Sequence, residues 1–360
     1  MRDVQMALAR SSVLNVSVSS DRLFFGESGH GVARYDQVRY PIFTKLNNTM
    51  HGFFWKPIAI DVAQDLGQFN RLNESEQHGF TSNLRRQMVL DSIQGRAPSL
   101  AFLPLVTDSS LENCIQTWSF FETIHSESYQ HIIRAIYPDP SVVINSIPDI
   151  TQIVDCAASI TRAYDEVIRN PSKESLYLAL IAANALEGIR FYVSFAYNFS
   201  LSQRGLMTGA ANIMKLIQRD EAQHLALVCH ILKLLPKDDP DFVQIIGDLR
   251  PQAIAIFDEA AEQEKAWAQY LLPGPGILGV NASLMERYID YLLVPRKHAA
   301  GLTSTAKSKI DHPFPWVERN YDTSSSQAAA QETEITSYIS SSLENDLKEG
   351  SFSGISLDSL

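Results

Sequence analysis

Cysteine is scarce in this chain and poorly placed for cross-linking. Cys114, Cys156 and Cys229 are its only three in 360 residues. An odd number at wide spacing excludes a disulfide framework and fits a reducing compartment. Basic charge is also short, with 30 Lys and Arg against 41 Asp and Glu and a formal net charge of −11. That balance argues against a broad nucleic-acid-binding surface. No stretch approaches the roughly twenty apolar residues that span a bilayer, and the first twenty residues lack the apolar core of a secretory signal. There is no repeat at solenoid period and no strand-rich region. These absences lead us to expect a soluble, cytoplasmic, all-α protein with neither membrane nor nucleic acid as partner.

What is present is helical periodicity, punctuated by capping and breaking residues. Residues 1–36 form a weakly patterned arm. A helix over 40–54 ends in the run Phe53–Phe54–Trp55, whose aromatics alone suggest only helix-end packing. Asn73 or Ser75 opens the next helix, which carries Asp91 and which Gly95 and Pro98 stop. Another starts near Ser109–Ser110, with Glu112 in its first turn, and runs to Pro138. Helices follow over 151–169, over the very apolar 172–199, and from the break at Gly205–Gly209 to about Leu235. Two more, 242–271 and 281–294, flank a Pro–Gly turn. From Thr323 the composition shifts to Ser, Ala, Thr and acids, which reads as a flexible tail.

Two of these helices carry the same motif, Glu122–Thr123–Ile124–His125 and Glu221–Ala222–Gln223–His224. Positions three apart share a helix face, so each motif aims a carboxylate and an imidazole at one point. Asp91 and Glu187 lie on two further helices among apolar neighbours, where a lone acid is costly unless paired or bound. Two such motifs plus one acid from each of two other helices match the recipe for two metal ions in a four-helix core, with Asp91 where that recipe usually has Glu. Six ligands are therefore expected: Asp91, Glu122, His125, Glu187, Glu221 and His224. Four carboxylates would neutralise two divalent ions. The competing reading is a set of salt bridges drawing on Arg85, Arg86, Arg96 and Arg190. Tyr129 follows His125 by four on nearly the same face, and Phe191, Phe195 and Ile217 have the spacing to cage it. A core tyrosine is ordinarily packing with one hydrogen bond.

Several strings resemble the small, radical-generating subunit of class I ribonucleotide reductase of the aerobic bacterial type. They are Phe53–Phe54–Trp55, the run from Leu90 to Arg96, Glu122 to Ser126 with Tyr129, Asn184 to Glu187, Arg190 to Phe195, and Arg219–Asp220–Glu221 with His224. The resemblance implies a ferritin-like helical bundle with additional outer helices over 37–322, a homodimer, and two iron ions per chain. A manganese pair or a manganese–iron pair would use nearly the same ligands. It also implies that O2 leaves a radical on Tyr129. The oxidising equivalent would then travel through His125, Asp220, Trp55 and Tyr338 to a large catalytic subunit that docks residues 323–360. The alternative is another carboxylate-bridged di-iron oxidase or oxygenase. Tyr129 beside the ligands, with Trp55 and Asp220, favours the reductase. A helical scaffold would leave the paired motifs unexplained.

Overall fold

The computed structural model describes residues 21–26 and 31–318. Among them the chain is all-α, and the only strand-like contacts are the isolated bridges Phe24–Val106 and Ile277–Val280. The long helices are α1 (Pro41–Gly52), α2 (Glu74–Gln94), α3 (Ser109–Ile136), α4 (Thr151–Arg169) and α5 (Lys173–Ala185). They continue with α6 (Tyr192–Ser202), α7 (Thr208–Asp238), α8 (Asp241–Leu271) and α9 (Ala282–Ala299). The core consists of α2, α3, the α5–α6 run and α7, as expected, with α1, α4, α8 and α9 packed around it.

Local chemistry explains where these helices begin. Asn73 caps α2 in a reciprocal capping box with Glu76, and the Asp108 side chain accepts from Leu111 N at the start of α3. Ser172 and Ser175 form a second box on α5. Helix α7 is different: its N-cap is Met207 in the left-handed region (φ 53°), and that side chain caps nothing. Asp65, from the short helix Asp65–Phe69, supplies the cap instead, accepting from Gly209 N at 2.9 Å and Ala210 N at 2.6 Å. The approach demands glycine, because a Cβ at Gly209 would lie 2.6 Å from the Asp61 carbonyl oxygen.

Three features depart from the sequence reading. The apolar segment 172–199 is not one regular helix, since the π turn Leu186–Arg190 separates α5 from α6 and carries Glu187. By length and composition, Lys173–Ser202 is able to cross a bilayer, contrary to expectation, but 94% of its apolar window is buried inside the protein. Its hydrophobicity serves the core, since a helix apolar all round must be covered on all sides. Helix α9 does not stop before Pro295 but runs on to Ala299.

Part of the expected N-terminal arm is packed onto the helical body. Leu23 N donates to Asp238 at 2.6 Å, Arg22 pairs with Asp239 at 2.9 Å, and Leu23, Phe24 and Phe25 are buried. The expected tail, including Tyr338, lies outside the described residues.

Asp65→Ala strands the two buried N–H groups of Gly209 and Ala210 and leaves only Gln68, which accepts from Thr208 N at 2.9 Å, at the start of α7. It should cost about 1–2 kcal/mol, read as a lower denaturation midpoint at unchanged m-value. An unchanged midpoint would show that α7 holds its start without this cap.

Candidate metal centre

The four core helices bring all six expected ligands to one place. Asp91, Glu122, His125, Glu187 and His224 are fully buried, and Glu221 is 1% exposed. They form two overlapping groups, Asp91–Glu122–His125–Glu221 and Glu122–Glu187–Glu221–His224, each with its ligand atoms within 4.8 Å of one another. Glu122 and Glu221 belong to both, the arrangement needed for carboxylates shared between two ions.

Both imidazoles turn Nδ1 inward. His125 Nδ1 lies 3.1 Å from Glu221 Oε1 and 3.3 Å from Glu122 Oε2. His224 Nδ1 lies 3.0 Å from both Glu122 Oε1 and Glu221 Oε2. Outside this ring, His125 Nε2 meets Asp220 Oδ2 at 3.2 Å. A carboxylate there accepts a hydrogen bond from Nε2–H, holding the proton on Nε2 and leaving the Nδ1 lone pair for an ion. The same Asp220 oxygen accepts from Trp55 Nε1 at 2.7 Å, and the Trp55 and His125 rings stack 6.4 Å apart. Arg219 secures this corner: it reaches Asp220 Oδ1 at 3.3 Å and donates to the Phe53 carbonyl at 2.6 Å. Tyr129 is fully buried, and its hydroxyl donates to Asp91 Oδ2 at 2.6 Å. Phe191, Phe195 and Ile217 are fully buried in the same core.

The salt-bridge alternative fails on the arginines. Arg86 pairs with Glu264, Arg190 bonds Gln263 and Ser159, Arg85 donates to the Val143 carbonyl, and Arg96 donates to the Ser92 carbonyl. The centre thus holds four acids with only two imidazoles as counter-charge. Asp91 Oδ1 and Glu187 Oε2 are buried without a hydrogen-bond partner. Unpartnered buried carboxylate oxygens are costly, and two divalent cations would satisfy both oxygens and the charge. The oxygen and imidazole donors suit iron or manganese, so the residues fit a two-metal site.

Three flanking residues escaped the sequence reading. Trp118 Nε1 donates to Glu122 Oε1 at 2.9 Å, Gln94 donates to Glu187 Oε1, and Tyr164 donates to Gln94 Oε1 at 2.6 Å. Trp118 stands four before Glu122 and Gln94 three after Asp91, so helical spacing carried a signal for both. Tyr164 sits on an outer helix with no local cue.

Burial and the crowding of like charges shift the pKa values of the candidate ligands. Burial, then the charges of Glu122 and Glu221, raises Asp91 well above the usual carboxylate range. Burial and Glu221 do the same to Glu187. Burial lowers the His224 pKa, but Glu122 and Glu221 outweigh it and push the imidazole up to about 9. Burial raises Glu221, yet His125 and His224 hold it below the usual range. At about 9 the His224 imidazole keeps its proton at pH 7, whereas a metal needs it deprotonated. Metal uptake at pH 7 should therefore release protons, and affinity should rise as pH is raised above 7. Calorimetry in buffers of different ionisation enthalpy measures this, and a binding heat independent of buffer would contradict it.

The family described as "Ribonucleotide reductase, small chain" matches residues 33–295. The ribonucleoside-diphosphate reductase subunit beta of Buchnera aphidicola subsp. Schizaphis graminum is 42% identical, over 93% of this chain and 96% of that one. The corresponding subunit of Haemophilus influenzae is 40% identical at the same coverage. Among solved structures, the ribonucleotide reductase R2 subunit from Clostridium botulinum matches with a TM-score of 0.79 and 26% identity, over 86% of this chain and 96% of that one. With matched sequence running through every ligand-bearing helix, this chain belongs to the ribonucleotide reductase small-chain family.

Proposed function

We propose that this chain is the radical-generating small subunit of a class I ribonucleoside-diphosphate reductase, with two iron ions per chain and Tyr129 as the radical site. One observation carries the reading: Tyr129 is a fully buried phenol whose hydroxyl donates at 2.6 Å to Asp91, a member of the metal-ligand set. When bound, the iron pair would supply the oxidant by reacting with O2.

The chain's own residues do the rest. A phenol that loses one electron also loses its proton, and Asp91 Oδ2 already accepts the hydrogen bond along which that proton leaves. Burial, with the Asp91 charge next, holds the Tyr129 pKa well above its ordinary value, so the neutral phenol is the form to be oxidised. Exclusion of water and of dissolved reductants then preserves the radical. Asp220 Oδ2 joins His125 to Trp55, which supports a route for the oxidising equivalent from the centre to the end of α1. In this reading, Tyr338 continues the route within a tail, residues 323–360, that docks the large catalytic subunit, where the ribonucleotide is reduced. The body over 37–322 forms a homodimer, and the cytoplasmic location expected from the sequence goes with this activity.

Tyr129→Phe deletes one hydroxyl and should keep fold and metal content. It should abolish the stable tyrosyl signal in low-temperature electron paramagnetic resonance, and with it ribonucleotide reduction. An undiminished signal per iron would mean that another tyrosine is oxidised.

Tyr338→Phe should leave the Tyr129 signal and affinity for the large subunit nearly intact while turnover stops. Binding and turnover measured on one preparation decide this, and turnover at the parental rate would remove Tyr338 from the route.

A further inference from the structure

Glu187 is held differently from the other ligands. It stands in a π turn, where the regular helical hydrogen-bond ladder is interrupted. Its Oε1 accepts from the Gln94 amide nitrogen, while its Oε2 has no partner. The Gln94 amide oxygen accepts in turn from the Tyr164 hydroxyl at 2.6 Å. Gln94 is fully buried and Tyr164 is 2% exposed. Tyr164 belongs to α4, outside the four ligand-bearing segments, and its ring meets Phe102 edge-on at 5.8 Å.

We propose that Tyr164 is a positioning residue for the metal pair: through Gln94 it fixes Glu187 with Oε2 free for the ion of the Glu122–Glu187–Glu221–His224 group. The proposal rests on the two-metal reading above. Its logic is that a carboxamide is nearly symmetric in shape but not in chemistry, with an acceptor at one end and a donor at the other. With the phenol donating to Oε1, only the amide N–H groups face Glu187. With Glu187 deprotonated, as metal binding requires, a reversed amide would set its oxygen against a carboxylate oxygen, two acceptors with no proton between them. The phenol therefore selects the orientation of the amide, and the amide selects which carboxylate oxygen is occupied. Burial, with the Glu187 charge next, holds the Tyr164 pKa well above its ordinary value, so the phenol stays a donor at neutral pH.

Tyr164→Phe removes one oxygen and retains the ring against Phe102. The test titrates the full-length, metal-free chain with manganese(II), counting free ion by its paramagnetic resonance signal, so that no oxygen chemistry intervenes. The parental chain should take two ions. In Tyr164→Phe the second should bind about 10- to 100-fold more weakly, the usual consequence of losing a partner that orients a ligand, while the first changes by less than about twofold. In a Gln94→Ala background the same substitution should add nothing, because its effect runs through that amide. Parental affinity for both ions would overturn the proposal. So would additive effects in the double variant, or equal weakening of both ions with a lowered melting temperature of the metal-free chain, the mark of a merely structural tyrosine. A parental chain that takes fewer than two ions would overturn the two-metal reading itself, and this proposal with it.

Discussion

Four carboxylates face one another in a core that water does not enter, and most of this structure follows from that constraint. In a medium of low dielectric their repulsion cannot be screened, so the set is tolerable only with bound protons or bound cations. The sequence could have placed guanidinium groups beside them. Instead the nearby buried cations are committed elsewhere, with Arg86 on Glu264 and Arg190 on Gln263 and Ser159. A buried arginine is effectively always charged and would neutralise the acids permanently. Histidine can give up its proton, so the two imidazoles can balance the acids' charge and can also serve as ligands to an ion.

The ligands are steadied by partners that contact one atom and leave others free. Trp118 holds Glu122, Gln94 holds Glu187, Tyr129 holds Asp91, and Asp220 holds His125. A carboxylate free to rotate would lose more conformational entropy on binding an ion, whereas one already anchored arrives oriented. Such anchoring also explains why outer elements matter. Phe102, in the π turn Pro98–Phe102, lies between Trp118 and Tyr164, at centroid distances of 6.3 Å and 5.8 Å, and so buttresses two of these lines at once.

The helical order and the convergence of the six candidate ligands were legible in the sequence because both rest on short-range periodicity. Glu-x-x-His is a property of one helix, and a buried acid such as Asp91 shows as an anomaly within its own apolar stripe. What escaped was long-range or concealed in backbone register. The π turn at Glu187 has no composition signature, since Leu186–Arg190 reads as ordinary helix. The cap of α7 comes from Asp65, 144 residues before the Gly209 amide it accepts from, beyond any local pattern. Tyr164 reads as one more apolar position of an amphipathic helix until Gln94 is found beside it. Pro295 misled for a different reason: its missing N–H forfeits the bond to the carbonyl four residues back, yet α9 runs past it to Ala299.

Asp220 shows how closely the metal centre is tied to the protein's edge. It directly precedes Glu221 on α7, so the helical rotation of about 100° per residue turns it out of the ligand ring while Glu221 points in. One of its oxygens serves both His125 and Trp55, and the other meets Arg219, whose guanidinium also lies 4.1 Å above the Phe53 ring. A shift of α7 that moved Glu221 and His224 would carry Asp220 with it and strain its bonds to Trp55 and the Phe53 segment. Trp55 is 3% exposed, yet Phe54 beside it is 39% exposed. Two hydrogen bonds therefore connect a ligand in the interior to the residue adjoining an exposed aromatic. A rearrangement at the candidate metal centre would not remain local, because the helix that carries Glu221 and His224 also carries the acid that reaches toward the surface.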